Sequence, residues 1–272
     1  MKTIAIGTLK GGTGKTTMTF NLLGALADRG KVLAIDIDPQ CNLSNNIGID
    51  ISDADAYSCL EIFESSNVNP EDLVVRSPIW QLANLDVIPG SIRLVATELR
   101  ISGRAGRERI LLNYIEDHQD FFDQYDYVVI DTNPSMGIVN QNAFLAADSI
   151  VMVTDVDDNS RIGLKLFMDL WEAIRHDLRK EDNVKALILN KADVRNNLTA
   201  AMQSYCMEDE ELAPIFVPKP VRPKAVYPNA AIAKLPMCIY QNTCPRKDRS
   251  AAKEAAIEID EVVDYLEAKG VF

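Results

Sequence analysis

An apolar run, Ile4-Ala5-Ile6, leads almost at once into Lys10-Gly11-Gly12-Thr13-Gly14-Lys15-Thr16-Thr17, and a helical stretch from Met18 to Arg29 follows. A strand that enters a glycine-rich turn and leaves as a helix is a phosphate cradle. Its glycines let backbone N–H groups close on an anion, and the helix start near Gly14 points its positive end at it. In such a loop Lys15 reaches the terminal phosphates and the Thr16 hydroxyl holds a magnesium ion. The strict pattern asks for glycine five places before Gly14, where this chain has Leu9; beside it stands a second lysine, Lys10. The plain alternative is a glycine-rich surface turn carrying solvated lysines.

Further apolar runs fall at Lys31–Asp36, Leu85–Pro89, Tyr127–Asp131, Ser149–Thr154, Val184–Asn190 and Ile215–Pro218. Helical patterns separate most of them, at Lys15–Arg29, Ile92–Ile101, Arg107–His118, Val139–Ala147, Gly163–Lys180 and Thr199–Glu208. Continuous apolar strands alternating with helices predict an α/β fold: a mostly parallel, twisted sheet with helices on both faces. Ligands bind at the carboxyl ends of such strands, where the glycine loop falls. No repeat or linker interrupts the 272 residues, so they read as a single domain closed by an amphipathic helix over about 250–268.

Five scattered cysteines without a Cys-x-x-Cys pair support neither a disulfide framework nor a zinc site, and point to a reducing cytoplasm. The two histidines, His118 and His176, lie in charged helical contexts without metal-ligand spacing and read as surface residues. No stretch is apolar enough to span a bilayer, and the strand at the N-terminus leaves no room for a signal peptide. The net charge of −12 argues against a chain coated in nucleic acid, but it is unevenly spread. Between Val217 and Lys253, eight basic residues face one acid, Asp248, giving +7 and leaving −19 elsewhere. That asymmetry predicts a basic face on an acidic body, unless the cations are scattered or paired with acids.

Two strand ends bring carboxylates towards the loop. One reads Asp36-Ile37-Asp38-Pro39-Gln40-Cys41-Asn42; the other is Tyr127-Val128-Val129-Ile130-Asp131-Thr132-Asn133-Pro134-Ser135. Four apolar residues ending in Asp131 fit a strand that offers a carboxylate to a magnesium-bound water. Turn aspartates that end strands and cap helices are the simpler explanation of each taken alone. Asn190-Lys191-Ala192-Asp193 matches the Asn-Lys-x-Asp string by which many GTPases read guanine, which leaves GTP open beside ATP.

The Lys10–Thr17 string resembles the deviant nucleotide-binding loop of the ParA/MinD family of P-loop NTPases. The Asp36–Asn42 stretch is similar to that family's Asp-x-Asp-Pro-Gln-Gly-Asn, with Cys41 in place of glycine. Tyr127–Ser135 resembles its hydrophobic-Asp-Thr-Pro-Pro-Ser, with Asn133 in place of the first proline. Supporting likenesses lie at Asp86–Ser91, Asn142-Ala143 with Ala146–Asp148, and Val217-Pro218 with Val221-Arg222. Residues 48–84 and 155–161 fit poorly, the second being unusually acidic. The resemblance implies ATP and Mg2+ as ligands, with Lys10 reaching a partner subunit's nucleotide, a contact of little use to a folded monomer. It further implies that Asp38 orients the attacking water, that Asp36 and Asp131 support the metal through water, and that Asn190 contacts adenine. The Phe216-Val217-Pro218 backbone would edge the same base.

For function, the resemblance implies a slow, partner-stimulated ATPase that dimerises on ATP and segregates or positions DNA. It would bind DNA nonspecifically through Arg222, Lys224, Arg246, Lys247 and Arg249, associate with the nucleoid and answer to a ParB-like DNA-binding partner. The acidic closing helix argues against a membrane anchor of the MinD type. No helix-turn-helix precedes the loop. Positioning of a protein cargo or conjugation complex, a metabolic enzyme on the same scaffold, and a guanine-nucleotide switch remain open on these residues alone.

Overall fold

Alternate residues of each apolar run point to opposite faces of a sheet, and here both faces are covered. Ile4 and Ile6 pack on one side with Val32, Ala34, Val129, Val151 and Ile188. Ala5 packs on the other side with Leu33, Ile35, Val128, Ile130, Met152 and Leu187. Almost every side chain of these strands is fully buried, which is why the runs are unbroken.

The computed structural model describes residues 1–52, 56–65 and 67–272. One sheet is built from Lys2–Gly7 (β1), Val32–Asp36 (β2), Val75–Arg76 (β3), Leu85–Ile88 (β4), Tyr127–Asp131 (β5), Ser149–Thr154 (β6) and Val184–Leu189 (β7). Its order is β3-β4-β2-β5-β1-β6-β7. Each pairing is parallel except β3 with β4. The principal helices are Lys15–Ala27 (α1), Leu94–Ile101 (α2), Ile110–Asp117 (α3), Ile138–Ala146 (α4) and Asp158–Asp177 (α5). Beyond them come Asn197–Glu208 (α6), Val226–Ile232 (α7), Met237–Thr243 (α8) and Arg249–Ala268 (α9).

The predicted α/β sheet stands, with two corrections. Ile215–Pro218 is not a strand: it forms one isolated bridge, Leu187 to Phe216, and the chain next meets β7 at Val221, whose N–H donates to Leu189 O at 2.9 Å. An antiparallel edge strand, β3, lies within the 48–84 stretch that fitted the family poorly. Residues 53–55 and 66 of that stretch fall outside the described residues. Helix α5 starts at Asp158, five residues before the expected Gly163, because Asp157 caps it by accepting from the Asn159 N–H at 2.7 Å.

Among the described residues the five cysteines are unpaired, and no helix is long and apolar enough to cross a membrane. His176 lies on the surface, whereas His118 is half-buried and stacks on Tyr114 at 4.5 Å between ring centroids.

Candidate functional site

Because β1 sits between β5 and β6, its carboxyl end opens onto the middle of the sheet edge, and the glycine loop fills that position. Gly12 and Gly14 adopt φ of 82° and 85°, left-handed values that favour glycine. A Cβ at Gly14 would stand 2.4 Å from Asn190 Nδ2, so a side chain is excluded there by space as well. The loop is held from behind by the 190–191 turn. Asn190 Nδ2 donates to Thr13 O at 2.8 Å, and Lys191 Nζ donates to Gly12 O at 2.6 Å. Sequence patterns gave Lys191 no such role.

Parallel register places Asp36 of β2 directly beside Asp131 of β5, both fully buried. Asp131 accepts from Lys15 Nζ at 2.8 Å, Thr16 Oγ1 at 2.8 Å and Thr19 Oγ1 at 2.7 Å. Asp36 accepts from the Ser44 N–H at 2.9 Å and the Ser44 hydroxyl at 2.7 Å. Burial, and then the negative charge of Asp131, push the Asp36 carboxyl up to about 7. Burial also raises Asp38, whose Oδ1 accepts from the Gln40 N–H at 2.9 Å. Cys41 takes φ 51° at the start of the short 42–47 helix, a left-handed position where glycine fits without strain.

These groups surround a cleft of about 670 Å³ lined by Lys10–Thr17, Asp38–Gln40, Val95 and Asn133–Ser135. A second cavity of about 340 Å³ continues from it, sharing Gly14, Thr17 and Asn46 and reaching Asn190, Val221–Lys224 and Tyr227. Pro218 does not line it; the chain meets the cavity three residues later, at Val221. Asp193 does not line it either. Its carboxylate turns outward to Arg195, with contacts of 3.0 and 2.8 Å, and the Asn-Lys-x-Asp string is split between two directions. Asn190 commits an amide N–H to the loop and keeps Oδ1 as an acceptor.

Lys10 is not idle in the single chain. Its Nζ lies 2.8 Å from Asp155 Oδ1, 3.1 Å from Ser160 Oγ and 3.4 Å from Asp157 Oδ1. The acidic 155–161 segment is therefore a cis partner for this lysine, which corrects the expectation that a monomer has little use for it.

The chain as a whole is similar to known proteins. A family model described as an AAA domain matches residues 1–185. Soj, the sporulation initiation inhibitor of Bacillus subtilis, is 33% identical over 198 residues, covering 72% of this chain and 75% of Soj. The chain belongs to the ParA/MinD family. An uncharacterized Mycobacterium tuberculosis protein is 32% identical over 195 residues; there the match spans 71% of this chain and only 59% of the relative. Among solved structures, an ATP complex of a Cyanothece McdA variant superposes with a TM-score of 0.81 at 20% identity, covering 98% of this chain and 96% of that one. At that identity the likeness shows the fold.

The basic residues nominated for DNA divide into two groups. Arg222 pairs with Glu258, and Lys224 Nζ lies 3.1 Å from Glu254 and 3.4 Å from Glu258, so both are tied to α9. Arg246, Lys247 and Arg249 are exposed and, among the described residues, without an ion pair. They occupy one turn at the start of α9, with Lys253 one helical turn beyond Arg249.

Proposed function

We propose that this chain is an ATP-dependent dimerising switch that carries or positions DNA by binding it nonspecifically in the ATP state. The observation that carries this reading is the placement of Lys10: it stands at the mouth of the phosphate cleft, held by an exchangeable ion pair rather than by the fold. Family membership supports the ATPase activity, and Arg246, Lys247 and Arg249, without an ion pair among the described residues, support phosphate binding without base readout.

In this reading the glycine-loop N–H groups and Lys15 hold the β- and γ-phosphates, with Lys15 exchanging Asp131 for phosphate oxygens. The Thr16 hydroxyl with Asp131 and Asp36, the acids through water, forms a hard oxygen donor set that fits Mg2+. The metal would supply neutralisation of the phosphate charge. Asp38 orients the attacking water, and Lys10 of a second subunit stabilises charge developing on the γ-phosphate, as an arginine finger does. Asn190 and the Val221–Pro223 backbone receive adenine. Turnover would be slow until a ParB-like DNA-binding partner stimulates it. The 1–272 segment acts as a single domain, nucleoid-associated in the cytoplasm, and its acidic α9 keeps it off anionic membranes.

The test is retention on nonspecific duplex DNA with ATP, ADP or GTP and Mg2+ across a salt series. Retention with ATP alone, lost at high salt and in Lys10→Ala, is expected. No retention with any nucleotide would remove DNA as the track and move the function to a protein cargo.

A further inference from the structure

The turn after β5 departs from the family pattern at Asn133, and the structure shows what accompanies the change. Proline fixes its own φ through the ring; asparagine does not, and it adds an N–H and an amide that need partners. Asn140, in the first turn of α4 and fully buried, supplies them. Its Nδ2 lies 2.8 Å from Asn133 O, Asn133 Oδ1 and Ser135 O, and 3.2 Å from Ser135 Oγ. Its Oδ1 accepts from the Asn133 N–H at 3.4 Å, and the Ser135 hydroxyl donates to Asn133 Oδ1 at 2.5 Å. One buried amide thus ties down both ends of the Asn133-Pro134-Ser135 turn.

The position of this turn gives the tether a consequence. Asn133, Pro134 and Ser135 line the phosphate cleft but not the adjoining cavity at Asn190. They stand with Lys10, Gly11 and Asp38, at the end of the cleft away from the base. Pro134 Cγ is 4.0 Å from where a Cβ on Gly11 would be, so the turn leans on the glycine loop itself. A nucleotide with its base on the Asn190 side and its phosphates along the loop would meet this turn with the far end of its phosphate chain.

We propose that Asn140 is a positioning residue for the γ-phosphate end of the cleft, holding the Asn133–Ser135 turn where it distinguishes ATP from ADP. This rests on the cleft being the ATP site, not on DNA binding or dimerisation. Asn142, two residues along the same helix, provides the internal comparison. It accepts from the Leu111 N–H at 3.0 Å and donates to Arg107 O at 2.7 Å, contacts that serve the scaffold rather than the turn.

The experiment measures ATPγS and ADP affinities of the full chain with Mg2+, by displacement of a fluorescent ADP at protein concentrations below self-association. Asn140→Asp keeps the size and removes the donors; it should lower the ATPγS-to-ADP affinity ratio about tenfold, the loss of one to two buried hydrogen bonds. Adding Asn133→Pro should restore the ratio, since a ring then supplies the constraint. Asn142→Ala should lower the melting temperature and leave the ratio alone. If Asn140→Asp does not fold, Asn133→Ala decides, with an expected loss of about threefold. An unchanged ratio in the folded variant, or an equal loss in Asn142→Ala, would overturn the proposal. Wild-type discrimination without DNA retention would instead sink the DNA-carrier function and leave this role standing.

Discussion

Lys10 and Asp155, 145 residues apart in sequence, meet at 2.8 Å at the mouth of the glycine-loop cleft. The contact joins the glycine loop after β1 to the segment between β6 and α5. Both side chains keep some solvent access, so the pair is exchangeable rather than structural.

Asp155→Ala should therefore cost little stability, about 0.5–1 kcal/mol. It removes a competitor for Lys10, so ATPγS-dependent self-association should begin at lower protein concentration. Sedimentation velocity checks this, and an unchanged midpoint would mean that the ion pair does not compete with assembly.

Asp131 is the counterion of a lysine that is only 5% exposed. Asp131→Ala leaves Lys15 buried and uncompensated, a loss of about 3–5 kcal/mol. Nucleotide phosphates can replace the missing carboxylate, so saturating ADP should recover part of the lost melting temperature. Calorimetry with and without ADP separates the two contributions.

Asp36 is destabilised as an anion by burial and by its neighbour Asp131. Asp36→Asn removes that repulsion and should raise the stability of the nucleotide-free protein near neutral pH by about 1 kcal/mol. The same change should weaken the Mg2+ dependence of nucleotide binding. A magnesium titration monitored by a fluorescent nucleotide would expose the trade-off.

Reversing the charges of Arg246, Lys247 and Arg249 to Glu should abolish DNA retention while ATP binding survives. Where binding persists in single variants, the salt slope should fall by about 0.9 for each phosphate that is no longer neutralised. Arg222→Ala and Lys224→Ala act on α9 through Glu254 and Glu258, so their signature is a lower melting temperature.

Asp193→Ala leaves both cavities untouched, since the carboxylate faces Arg195 outside them. The preference for ATP over GTP should not change in a competition assay. A variant that loses GTP binding would show that the Asn-Lys-x-Asp string reads guanine after all.

The sheet, the glycine-rich turn between β1 and α1 and the acids at two strand ends were legible from the residues alone. Unbroken apolar runs have one stable home, between two helical layers. Glycines at φ 82° and 85° leave few alternatives for residues 12 and 14. Such constraints are local, carried within a few residues of each motif. Three other features emerge only in the folded chain, because each depends on which polar groups the fold brings within reach of one another. The partner of Lys10 lies 145 positions away, and nothing in residues 155–161 announces it beyond their acidity. The basic residues of 217–253 look alike in sequence, yet α9 neutralises Arg222 and Lys224 while Arg246, Lys247 and Arg249 remain unpaired among the described residues. Asn140 carries no motif at all; folding the first turn of α4 back over the β5 end brings its amide onto Asn133 and Ser135. Charge and hydrogen-bonding capacity are written in the sequence, but which groups satisfy one another is fixed by distance, and distance belongs to the fold.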